Sequence, residues 1–61
     1  MTARQLQRLR NRLGWSQDRL AEALGVHKMT VSKWERGVQP IPEMAAIAVR
    51  CLTEHSEEAE R

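Results

Sequence analysis

In LRNRLGWSQDRLAEALGVHKMTVSKWERG, residues Leu9–Gly37, glycines fall at Gly14, Gly25 and Gly37 and divide the stretch into short segments. Ser16 is a residue type that caps helices, and Asp18 sits where a helix's positive first turn favours an acid. Leu20, Ala21 and Leu24 then recur at helical spacing, and Gly25 is placed to end the helix in a left-handed turn. After Val26 and His27 a further short helix is expected over about Lys28 to Arg36, closed by Gly37. Two short helices joined by about three residues, Gly25 through His27, therefore form the centre of the chain.

Outward from this centre the pattern stays helical. Leu6, Leu9 and Leu13 lie on one stripe of an amphipathic helix running from Thr2 to about Leu13. Pro40 and Pro42 disfavour helix in the residues before them, so 38–42 reads as a loop, with Pro42 opening a fourth helix at its first position. Met44, Ile47, Ala48, Cys51, Leu52 and His55 are expected to face the core, leaving Ala45, Ala46 and Val49 as spare apolar surface for a homodimer. The expected division is a domain over 1–55 and a frayed acidic tail over 56–61. The fold class is all-α, a compact four-helix domain.

Sixty-one residues suit one small domain with no room for a second. Aromatics make up 3%, which argues against an aromatic-rich sandwich or barrel core. One cysteine allows no internal disulfide and fits a reducing cytoplasm. No apolar run approaches the roughly 20 residues that span a bilayer, and no signal peptide is visible, so a cytoplasmic protein without membrane contact is expected. Charge is unevenly placed. Residues 1–36 carry eight bases against three acids, whereas 37–61 carry two bases against five acids. A basic body with an acidic tail points to a polyanionic partner.

A glycine-containing turn between two short helices is the helix-turn-helix arrangement. Leu9-Arg10, Gly14, Ser16-Gln17, Leu20-Ala21, Leu24-Gly25-Val26, Thr30-Val31-Ser32, Trp34-Glu35 and Gly37 together resemble the Cro and repressor type of helix-turn-helix, the Xre-like family of bacterial and phage regulators. The resemblance extends through Ile41-Pro42 into the fourth helix. It implies a phage-repressor-like fold that binds double-stranded DNA specifically as a small transcriptional regulator, with the third helix in the major groove. It also implies an ion pair between Arg10 and Glu35 that links helices.

On a wheel of about 100° per residue, Lys28, Ser32, Arg36, Met29 and Lys33 share one arc of the third helix, while Thr30, Val31, Trp34 and Glu35 share the other. Within the resemblance the first arc faces the groove. Lys28, Ser32 and Lys33 are expected to reach base edges, and Met29 a thymine methyl. Gln17, His27, Arg36 and Gln39 are expected at phosphates. His27 stands where the family usually places a Ser or Thr cap. The loop Val38-Gln39-Pro40 lacks the Lys or Arg that many relatives carry, and Arg19 stands where a Glu would complete a capping box on the second helix.

Catalysis is not expected. Cys51 and His55 make an i, i+4 pair, too few ligands for a closed zinc site, and a core cysteine is the simpler reading. Ser16, Asp18 and His27 assemble no triad. Neither a cofactor nor a metal is implied. The rival reading is a protein-interaction module, such as an antitoxin-like or regulatory protein partner built on the same fold.

Overall fold

The computed structural model describes residues 1–59, with side chains through residue 54. It contains α1 (Ala3–Leu13), α2 (Gln17–Leu24), α3 (Lys28–Glu35) and α4 (Glu43–Ala59), with no strand among the described residues. Each break follows from local chemistry. Thr2 caps α1 in a full capping box: its hydroxyl accepts from the Gln5 N–H, and Gln5 Oε1 accepts from the Thr2 N–H. Ser16 Oγ accepts from the Arg19 N–H at 3.1 Å, without the reciprocal bond, because Arg19 has no acceptor to return. Its guanidinium instead lies over the Trp15 ring, 4.8 Å from the centroid.

The turn between α2 and α3 is closed by Gly25 at φ +72°. Its N–H donates to Glu22 O and the Val26 N–H donates to Ala21 O, at 3.2 and 3.0 Å. This pair of bonds satisfies carbonyls that the helix end would leave open and turns Val26 back onto the core. The same crossing bonds recur after α1, from Trp15 to Arg10, and after α3, from Val38 to Lys33.

Leu6, Leu20, Ala21, Val31, Trp34 and Val49 form one buried cluster. Leu9, Trp15, Leu24, Val26, Ile41, Ala45 and Leu52 pack around it. Helix α1 packs on α3 and α4, and α2 packs on α3 with a smaller contact to α4. Ala21, 2% exposed, lets α2 and α3 cross closely. Trp34 fills the space where α3 meets the loop and α4.

The fourth helix presents a different face from the one its apolar pattern predicts. Ala46, Val49 and Thr53 are buried, with Ala45, Ala48 and Leu52 half-buried. Met44 and Ile47 are 84% and 57% exposed, and Cys51 is exposed rather than a core cysteine. Apolar residues cover most of the α4 circumference, so periodicity alone did not choose a face. Packing chose the small residues, which let α4 approach a core already occupied by Trp34. Thr53, polar in composition, is buried because its hydroxyl donates to Val49 O and Arg50 O within the same helix. The helix begins at Glu43, one residue after Pro42, whose carbonyl accepts from the Ala46 N–H. It continues through Ala59, so it runs into the segment read as a frayed tail. The side chains of that segment and of His55, and Glu60 and Arg61 altogether, lie outside the described residues.

Reversing core and surface on α4 has a measurable consequence. Val49→Ala should cost about 2 kcal/mol of stability, as expected for deleting buried methyl groups. Ile47→Ala should stay within about 0.5 kcal/mol, as for exposed positions. Denaturant melts at low micromolar protein check the pair, and equal costs would mean that the register is wrong.

Candidate nucleic-acid interface

Glu35 ends α3 and is 6% exposed, an unusual place for a carboxylate. Its burial is matched by donors from two other elements. Arg10 of α1 clamps it with Nε on Oε2 at 2.6 Å and Nη2 on Oε1 at 3.0 Å. Gln17, the first residue of α2, adds Nε2 on Oε1 at 3.2 Å. The remaining Arg10 nitrogen, Nη1, donates to Trp15 O at 2.8 Å, and Gln7 Nε2 donates to the Glu35 carbonyl at 3.0 Å. The C-terminal end of α3 is thus tied to α1 and to the start of α2. No buried side-chain nitrogen or oxygen among the described residues lacks a partner.

This anchoring fixes which arc of α3 faces outward. Val31, Trp34 and Glu35 are buried. Lys28, Met29 and Arg36 are exposed, Met29 by 51%, and Ser32 and Lys33 are half-buried on the same side. Glu35 is the only acid between Ala23 and Pro42 and is neutralised by Arg10, so the cationic Lys28, Lys33 and Arg36 dominate the outward arc. Arg36 is half committed, its Nε lying 3.4 Å from Ser32 O. Gln39 is exposed in the loop beyond, where its backbone N–H lies 3.4 Å from Lys33 O.

Two residues assigned to phosphate from the sequence carry structural duties as well. Gln17 spends one amide hydrogen on Glu35. His27 is the N-cap of α3: its Nδ1 accepts from the Met29 N–H at 3.1 Å, doing what a Ser or Thr does at such a position. An imidazole accepting at Nδ1 carries its proton on Nε2, which leaves that nitrogen as a donor. Sequence reasoning missed Gln7 altogether. The available signal was its spacing, since Gln7 and Arg10 are i, i+3 neighbours on one face of α1.

Among the described residues, no group of three or more His, Cys, Asp or Glu is placed to hold a metal ion. No helix among them is long and apolar enough to cross a membrane.

Two short helices joined by a glycine turn, with the second anchored by its buried arc and cationic on its outer one, define a helix-turn-helix domain. A helix-turn-helix family model matches residues 6–51, about three-quarters of the chain, and the protein belongs to the Cro/repressor-type, Xre-like helix-turn-helix family. That family is one of DNA-binding regulators and is not typically enzymatic. No curated protein and no solved structure matches the chain.

The Glu35 network makes a quantitative claim. Glu35→Ala should destabilise the fold by about 3–5 kcal/mol, because it strands the Arg10 guanidinium. A double-mutant cycle with Arg10→Ala should show coupling above the roughly 0–1 kcal/mol of a surface pair. Chemical denaturation of the four proteins gives the answer, and additive losses would remove the pair from its central position.

Proposed function

We propose that the protein reads a specific double-stranded DNA sequence as a small transcriptional regulator, with α3 in the major groove. The observation that carries this reading is the division of α3. One arc is held in the core through Val31, Trp34 and Glu35, and the opposite arc offers Lys28, Met29, Ser32 and Lys33 without a competing acid. An α-helix fits the major groove, and phage repressors are themselves the type examples of this docking.

Roles divide by chemistry. Lys28 and Lys33 donate to guanine O6 and N7, Ser32 bonds a base edge, and Met29 packs on a thymine methyl. Half-burial of Lys33 lays its stem along the surface and restricts where its ammonium reaches, which favours a base over a freely ranging phosphate contact. Phosphates are met at the edges of the arc. His27 donates through Nε2, and Arg36 and Gln39 contribute from the C-terminal end of α3 and the loop after it. Gln17 contributes through the open backbone N–H groups at the first turn of α2, its side chain being shared with Glu35.

Base contacts discriminate between sequences and phosphate contacts do not, so the two groups should fail differently. Lys33→Ala should relax preference at one base position by about 1–3 kcal/mol. Arg36→Ala should weaken specific and scrambled duplexes alike and lower the salt slope by about one. Site selection from a random duplex library, followed by titrations at several salt concentrations, measures both. A wild type without sequence preference, matched by the Lys33 variant, would defeat the reading.

A further inference from the structure

Met29 is out of character on the outward arc of α3. Among the described residues the exposed large apolar side chains are Met29, Val38, Met44 and Ile47, and of these only Met29 lies on that arc. Its neighbours there are Lys28, Ser32, Lys33 and Arg36, so it belongs to no apolar patch, and it takes no part in the core. A protein partner seeking apolar area would find one side chain ringed by charge. The major groove of DNA, in contrast, presents single apolar groups among polar ones, each the C5 methyl of a pyrimidine.

Position and chemistry join Met29 to Lys33. The two are i, i+4 neighbours, about 40° apart on the wheel and with Cβ atoms about 5–6 Å apart. The Met29 N–H donates to His27 Nδ1 at 3.1 Å, which holds Met29 in the first turn of α3. Lys33 is half-buried, and helical side chains lean toward the N-terminus, so its stem reaches back over the turn that Met29 occupies. A thioether packs on a methyl and donates no hydrogen bond, whereas an ammonium has three donors and seeks acceptors. Guanine offers two acceptors, O6 and N7, where adenine sets an amino donor beside N7. Side by side, the two side chains match a C5 methyl next to a guanine edge, one base step of about 3.4 Å along the strand.

Met29 has no means of reading more of its base than the methyl. Thymine and 5-methylcytosine carry that group at the same ring position and differ at C4, where one has a carbonyl acceptor and the other an amino donor. A thioether, at most a weak acceptor, draws little distinction there. We propose that Met29 and Lys33 together read a step in which a C5-methylated pyrimidine adjoins a guanine. The protein then accepts thymine and 5-methylcytosine alike at that position and disfavours unmethylated cytosine, which makes its DNA binding responsive to cytosine methylation. The inference rests on the placement of α3 in the major groove and adds the chemical feature that the helix recognises.

The preferred site from a random duplex library should hold a thymine next to a guanine. Duplexes of that site are then made with thymine, deoxyuridine, cytosine or 5-methylcytosine at the thymine position, the last two paired with guanine. Fluorescence anisotropy titrations at one salt concentration compare thymine with deoxyuridine and 5-methylcytosine with cytosine, pairs that differ by the methyl alone. Wild type should bind the methyl-bearing member of each pair about fourfold more tightly, the worth of burying one methyl-sized group. Met29→Ala, which circular dichroism should show folded because the position is exposed, should bring both ratios close to one. Placing 7-deazaguanine, which lacks the N7 acceptor, at the neighbouring base should weaken wild type and leave Lys33→Ala unmoved. Equal binding of methyl-bearing and methyl-free duplexes by wild type overturns the proposal, as does a Met29→Ala variant that keeps the wild-type ratios. A selected site without thymine beside guanine, or indifference of wild type to 7-deazaguanine, overturns it too. A protein that selects no site at all fails the DNA reading itself, an outcome distinct from selecting a site and ignoring its methyl.

Discussion

The fold turns on a buried carboxylate. Glu35 is acceptable inside a small protein only because Arg10 meets it with two nitrogens and Gln17 with a third. Burying these groups removes water that solvated them, so the pair's net stabilisation is smaller than its Coulomb attraction. Its main effect is geometric. A bidentate clamp has one good arrangement, so it fixes how α3 is turned relative to α1. Gln7 on the Glu35 carbonyl and Arg10 on the Trp15 carbonyl extend the same constraint to the backbone at the end of α3 and just before α2. Few apolar contacts are available to a chain of this size, and a polar network that admits one arrangement compensates for that scarcity.

The proposed DNA reading depends on this constraint because an eight-residue helix has little surface to divide. Roughly half of α3 is committed to Val31, Trp34 and Glu35, and the rest is presented outward as a rigid cationic arc. The α2–α3 turn sets where that arc begins. Gly25 reverses the chain, Val26 returns to the core, and His27 caps the new helix with its own ring nitrogen. A residue read as a ligand for phosphate is thereby also part of the scaffold, and so is Gln17. In a domain this small, the proposed binding surface and the framework share side chains.

The helix count, the helix ends and most of the buried cluster were legible in the residues. Thr2, Ser16, Gly14, Gly25 and Gly37 act on neighbours no more than about five positions away, so their chemistry is fully present in the local sequence. Leu6, Leu20 and Val31 were legible because each lies on a helix whose other faces are polar. The Arg10–Glu35 contact was suggested by resemblance to a family, since its partners are 25 residues apart and no local rule connects them. Gln17 and His27 were read from residue type toward phosphate, whereas their neighbours in space give them further work.

Helix α4 marks the boundary between the two kinds of information. Its sequence determined that it is a helix, because Pro42 opens it and Ala, Met, Leu and Glu sustain it. Which side it buries was decided only in three dimensions. Apolar residues surround most of the helix, and the choice fell to shape: Val49 fits the space left by Leu6, Leu20, Val31 and Trp34, Ala46 is buried on the same side, and the larger Met44 and Ile47 were left outside. Capping is a short-range property that a chain carries in its order of residues, but close packing is a competition for volume among segments distant in sequence.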